Sequence, residues 1–174
     1  MKVCIVSDSH DRGPMLTKAI EAAKAEGAEI ALGGARSQRV GCERGLFIEP
    51  TIFRNVTNAM GIAQNEVFGP VLAAIPFNSE EEAVSIANDT RYGLAAGIWT
   101  NDLGRALRMV ERIRAGTVWV NSYRALSYLA PFGGFKQSGL GRESGSEMIK
   151  EYLQSKTVWL SGGGDAPANA FVMR

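Results

Sequence analysis

Runs of β-branched residues alternate along this chain with stretches in which apolar residues recur at helical spacing, and that alternation predicts most of its elements. Lys2 to Val6 is a short apolar run ending in Ser7-Asp8-Ser9-His10, a buried strand that delivers polar residues at its carboxyl end. Pro14 to Glu26 carries Leu16, Ala19, Ile20 and Ala23 on one helical face, with a proline near the start and Gly27 just past the end. Ile30 to Leu32 is a strand stopped by Gly33-Gly34. Residues 35–45, rich in arginine and glycine without periodicity, predict a surface loop. Leu46 to Phe53 is extended, and Pro50 within it argues for an edge or irregular strand.

The middle is the most regular part. Val71 to Phe77 predicts a strand, and Ser79 with Glu82 forms a capping box for a helix to about Asn88 whose apolar residues are Ala83, Val84, Ile86 and Ala87. Leu94 to Trp99 follows as a strand. Asn101 or Asp102 caps the next helix, with Leu103, Ala106, Leu107, Val110 and Ile113 on one face and Gly116 closing it. Thr117 to Val120 is the third strand. Strand, helix, strand, helix, strand with short loops is a pair of βαβ crossovers, so the fold class is α/β: a parallel or mixed sheet built from βαβ units with helices packed on it. A last helix, Glu147 to Leu153, is capped by Ser144, and Lys156 to Leu160 is a terminal strand. Residues 1–160 then form a single α/β domain, and 161–174 a flexible tail.

Composition narrows the function classes. The 174 residues are 45% hydrophobic, enough for one domain with a real core. Nineteen basic residues against 18 acidic ones, with no basic block, give nucleic-acid binding little support. No apolar run reaches the length of a membrane span, and the amino terminus is too short for a signal-peptide core, so cytoplasm is the default compartment. Two cysteines, Cys4 and Cys42, make neither a disulfide scaffold nor a multi-cysteine zinc site, and the single histidine His10 excludes mechanisms needing two.

Two clusters carry candidate chemistry. One is Gln64-Asn65-Glu66-Val67-Phe68-Gly69-Pro70. If this segment is extended, Glu66 and Phe68, two residues apart, project to the same side. A carboxylate accepts hydrogen bonds from vicinal ribose hydroxyls and a ring covers the sugar and its base. On residue type alone, a solvated glutamate and a core phenylalanine before a turn is the better reading. The other cluster is Pro131-Phe132-Gly133-Gly134-Phe135-Lys136-Gln137-Ser138-Gly139-Leu140-Gly141-Arg142, directly after the strand Thr117-Val118-Trp119-Val120-Asn121 and its loop. So many glycines imply positive φ or close backbone approach, a structural role for Gly133, Gly134 and Gly139. Asn121 ends a predicted parallel strand, where ligands of open α/β sheets gather. Tyr123, Leu126, Tyr128 and Phe132 then supply apolar surface and Arg124 a charge at the mouth; a hydrophobic loop packed on its own domain fits the same residues.

Together these clusters closely resemble the carboxy-terminal part of the aldehyde dehydrogenase catalytic domain, from about residue 15 to 160. The resemblance implies NAD(P)-dependent oxidation of an aldehyde to an acid through thiohemiacetal formation, hydride transfer to the nicotinamide and thioester hydrolysis. It implies that Glu66 and Phe68 are nicotinamide-ribose contacts of NAD or NADP. It implies that the stretch containing Asn121, Tyr123, Arg124, Leu126 and Phe132 lines the aldehyde entrance, with Leu126 where an aromatic residue is frequent. Lys156 to Leu160 matches the family's oligomerisation strand and implies a homo-oligomer.

In the family, the nucleophilic cysteine, the base glutamate and the Rossmann-type cofactor domain all precede the region that matches. Neither Cys4 nor Cys42 stands in the family's sequence around the nucleophile, and no G-x-G-x-x-G lies between a strand and a helix. The expectation is that this chain holds no catalytic residue and does not turn over aldehyde alone. Two other readings remain. One is a non-catalytic oligomerisation or interaction module. The other is a metal-dependent phosphoesterase, since Met1 to Asp11 is similar to the opening strand of calcineurin-like metallophosphoesterases, with Asp8 and His10 as its first ligands. That resemblance stops there: no second histidine supplies the remaining ligands, so no metal site is expected.

Overall fold

The computed structural model describes residues 2–6, 13–42, 45 and 47–160, and of 2–6, 13 and 14 the backbone alone. Asp8, His10 and the tail at 161–174 lie outside the described residues.

Among the described residues the chain is a mixed α/β structure with three small sheets. The largest has four strands: β1 (Lys2–Val6), β2 (Glu29–Leu32), β3 (Thr51–Arg54) and β4 (Val71–Pro76), in the order β1-β4-β3-β2. β3 and β4 run parallel, while β1 and β2 flank them antiparallel. Helix α1 (Gly13–Ala25) packs on this sheet because Leu16, Ile20 and Ala23 recur on one face. They meet Phe53, Val71, Ala73 and Ile75 from the alternating inward positions of β3 and β4, and Val56, Ile62 and Ala63 from the connection containing the single-turn helix α2 (Gly61–Gln64).

Helix α3 (Glu80–Asn88) and helix α4 (Leu103–Arg112) form a second layer. Between them in sequence come β5 (Tyr92–Gly93) and β6 (Ala95–Ile98), and β7 (Thr117–Val120) follows. β6 and β7 pair in parallel from Ala95↔Thr117 to Ile98↔Val120, and β5 pairs antiparallel with β8 (Phe135–Lys136). Ala83, Val84, Ile98 and Met109 make a second small core, with Phe77, Ile113, Val118 and Val120 against it. Ser79 Oγ accepts from the Glu82 amide at 3.1 Å, and Asp102 Oδ1 from the Arg105 amide at 3.0 Å, so both helices start on side-chain caps.

Several expectations need correction. The regular middle is not one sheet of two βαβ crossovers: β4 belongs to the four-stranded sheet and, among the described residues, β6 pairs only with β7, so one crossover, β6-α4-β7, survives there. Sequence period reports strands, and pairing is settled by which inward faces share a core. β3 is interior rather than an edge, because Pro50 precedes the paired residues and the Thr51 amide donates to the Pro70 carbonyl. The second bond of the capping box goes from the Asn78 amide to Glu82 Oε2, one residue before the cap. α4 ends at Arg112, with extended Ile113 as its cap, rather than at Gly116. Gly116 is needed for packing instead, since a Cβ there would collide with the Gly133 carbonyl. The last helix is a 3-10 segment, Ser146–Tyr152, entered from Gly145, while Ser144 sits at φ 63° and caps nothing. Lys156 to Leu160 forms no strand within this chain and is exposed throughout. Leu103, Leu107 and Val110 of α4 are exposed; Ala106 and Met109 are the residues it buries.

Candidate functional site

The corner after α2 is built by polar anchors. Gln64 Nε2 donates to the Asn58 and Asp89 carbonyls at 2.7 and 2.8 Å, and Asn65 Nδ2 donates to the Gly61 carbonyl at 3.1 Å. Gly69 is buried against Leu16, where a Cβ would stand 2.6 Å from a leucine methyl, so α1 seats the turn before β4. Between these anchors Glu66 is exposed, and Phe68 is 47% exposed at φ 52°. That left-handed residue ends regular alternation, so the same-side argument from an extended strand does not carry through Phe68. Both groups nonetheless face solvent. Glu66 has no hydrogen bond or ion pair among the described residues, so its carboxylate has acceptor capacity for vicinal hydroxyls.

Asn121 sits where β7 ends, as expected, but its amide is committed. Oδ1 accepts from the Thr100 amide at 2.9 Å and Nδ2 donates to the Thr100 carbonyl at 2.8 Å, which clamps the ends of β6 and β7 together. Asn121 and Arg124 both have positive φ, 50° and 56°, so the chain turns sharply twice. Tyr123 stands edge-on to Trp119, ring centroids 5.8 Å apart, and Trp119 Nε1 donates to the Ala125 carbonyl at 2.8 Å. Leu126 and Phe132 do come together: with Thr117, Tyr128, Pro131 and Glu143 they line an open cleft of about 240 Å³. Glu66, Phe68, Asn121, Tyr123 and Arg124 line no part of it.

What joins the two corners is a hub that the sequence reading passed over. Asn88 to Arg91, at the carboxyl end of α3, receives the Gln64 and Asn58 amides on Asp89, the Arg114 amide on Asn88 Oδ1 and the Gln137 amide on the Arg91 carbonyl. Lys136 Nζ donates to the Asn88 and Thr90 carbonyls at 2.8 and 3.0 Å, a cation at a helix carboxyl end. Burial, then the charge of Arg114, holds the Lys136 amine below its ordinary value, and Asp89 opposes them. The polar run Asn88-Asp89-Thr90 after an amphipathic helix was the available signal. In the glycine-rich turn, a Cβ on Gly134 would press on Ser138, whose Oγ accepts from the Gly93 amide at 2.9 Å; close approach explains that glycine, and φ 124° explains Gly139.

Cys42 is half-buried in the 35–45 loop, its amide on the Arg39 carbonyl. Among the described residues no group of three or more His, Cys, Asp or Glu is gathered to hold a metal ion, and no helix is long and apolar enough to cross a membrane.

The model of the aldehyde dehydrogenase family matches residues 7–158, starting earlier than the motifs alone placed it and taking in Asp8 and His10. The betaine aldehyde dehydrogenase of Brucella anthropi is 44% identical over 166 residues, 91% of this chain and 34% of its own. A crystal structure of betaine aldehyde dehydrogenase from Staphylococcus aureus, in complex with NAD+, superposes with a TM-score of 0.80 at 46% identity, over 83% of this chain and 28% of that one. An aldehyde dehydrogenase from Mycobacterium tuberculosis complexed with NAD+ gives 0.79 at 44% identity, over 88% and 31%. This chain spans about a third of the length of the relatives it matches.

Proposed function

This chain belongs to the aldehyde dehydrogenase family, and from that premise we propose that it is the carboxy-terminal portion of an NAD(P)-dependent enzyme converting an aldehyde to a carboxylic acid. The observation that carries this reading is the match over residues 7–158 to enzymes about three times as long, at 44% identity with the first of them. In that assembly Glu66 and Phe68 contact the nicotinamide ribose. An exposed carboxylate without an internal partner, beside a half-exposed ring, has the chemistry for it. The cofactor supplies the hydride acceptor; the chain's own part is to hold the sugar. Leu126 and Phe132, from the cleft of about 240 Å³, form part of the aldehyde tunnel, and Asn121, Tyr123 and Arg124 shape its entrance. The tunnel's remaining walls, the nucleophilic cysteine and the base belong to the rest of such an enzyme.

Residues 156–160 serve as an assembly strand. They are exposed, and no hydrogen bond within the described residues engages their backbone, which supports addition to the sheet edge of another chain. The expected outcome for the purified 174-residue chain, incubated with NAD, NADP and a panel of aldehydes, is no catalytic formation of reduced cofactor. Sustained turnover of any aldehyde by this chain contradicts the reading.

A further inference from the structure

Behind the glycine-rich turn lies an open cleft of about 380 Å³ whose charged lining residues are all cations: Arg114, Lys136 and Arg142. Arg142 is held in place. Its Nη1 donates to the Gly134 and Gly141 carbonyls at 3.0 and 2.6 Å, and its guanidinium carbon lies 5.5 Å from the centre of the Phe135 ring. Those bonds cover two carbonyls of the lining and leave the remaining guanidinium N–H groups without a partner among the described residues. Lys136 spends two of its three protons on the carbonyls of Asn88 and Thr90. The Arg114 side chain is exposed and makes no bond among the described residues. Arg114 lies close enough for its charge to act on Lys136.

The backbone adds donors. Gly139 and Gly141 have φ of 124° and 77°, and Leu140 between them is not in the positive-φ region. The amides of 139–141 have no hydrogen-bond partner among the described residues. Successive unpaired N–H groups in a turn are donors that an anion can use. The Glu151 carboxylate lies against Gly141, 3.0 Å from where a Cβ there would stand, but lines no part of the cleft. We propose that this cleft is a binding site for a small oxyanion, a phosphate or carboxylate group, held by Arg114, Lys136, Arg142 and the amides of 139–141. The inference stands apart from the aldehyde reading and does not need it.

The test is an NMR titration of the full chain with inorganic phosphate and, separately, acetate, at ionic strength held constant with chloride. Saturable shifts confined to the 139–142 amides and the Lys136 amine are expected. Stronger binding of phosphate assigns a phosphate-bearing ligand, and stronger binding of acetate a carboxylate. Arg114→Gln, which removes no internal bond, is expected to weaken binding about tenfold, as loss of one charge-assisted contact implies. Leu140→Pro, which removes one N–H and no charge, weakens it too, while Glu151→Gln leaves it intact or tighter. Shifts that rise without saturation over all surface cations, or binding unchanged in both Arg114→Gln and Leu140→Pro, overturn the proposal.

Discussion

Thr51 is, among the described residues, the one polar side chain buried in the core. Its hydroxyl accepts from the Gly34 amide and donates to the Glu49 carbonyl, both at 2.9 Å, so it ties the turn after β2 to the start of β3. The Gly34 amide has no other hydrogen bond among the described residues. Thr51→Val keeps the shape and deletes both bonds, leaving a donor unsatisfied. Denaturant unfolding is expected to show a loss of about 1–3 kcal/mol. Thr51→Ser, which keeps the hydroxyl, should lose clearly less; equal losses would mean that packing, not the bond, matters there.

Elements are joined in this chain by polar contacts as much as by apolar ones. α3 and α4 share only a small core, and Glu80 at the start of α3 faces three arginines of α4: Arg108 at 2.9 Å, Arg105 at 3.6 Å and Arg112 at 3.8 Å. The Arg108 guanidinium, bonded to both carboxylate oxygens, holds Glu80 below the ordinary glutamate value of 4.5. A carboxyl depressed in the folded state adds stability above its unfolded pKa, and that stability is lost as pH falls through the folded value. Thermal midpoints of the native chain and Glu80→Gln are therefore expected to differ by a constant amount near neutral pH, with the gap closing below pH 4.5. A gap that persists undiminished in acid would show that the pair's charge is not what couples the helices.

At the scale of the whole molecule, among the described residues, 121–130 and 151–160 are exposed throughout, and Leu103 and Leu107 on α4 are 73% and 58% exposed. Apolar surface on this scale drives association. Light scattering is expected to give a mass above 18.7 kDa that rises with concentration. Replacing Leu103 and Leu107 together by lysine should reduce that rise without lowering the thermal midpoint, because neither side chain is in a core. A monodisperse species of 18.7 kDa at high concentration, or a midpoint loss like that of a core truncation, would contradict this placement.

The linear sequence by itself determined the elements and the family. Period-two and period-3.6 patterns located strands β1, β4, β6 and β7 and helices α1, α3 and α4, and Ser79 and Asp102 marked two helix starts, since these depend on residues within a few positions of one another. Only the tertiary structure decided which strands share a sheet, which face of α4 is covered, and that Asn88 to Arg91 links the two corners of the candidate site. Those outcomes depend on residues far apart in sequence, such as Lys136 reaching the carbonyls of Asn88 and Thr90, where no local pattern carries the information.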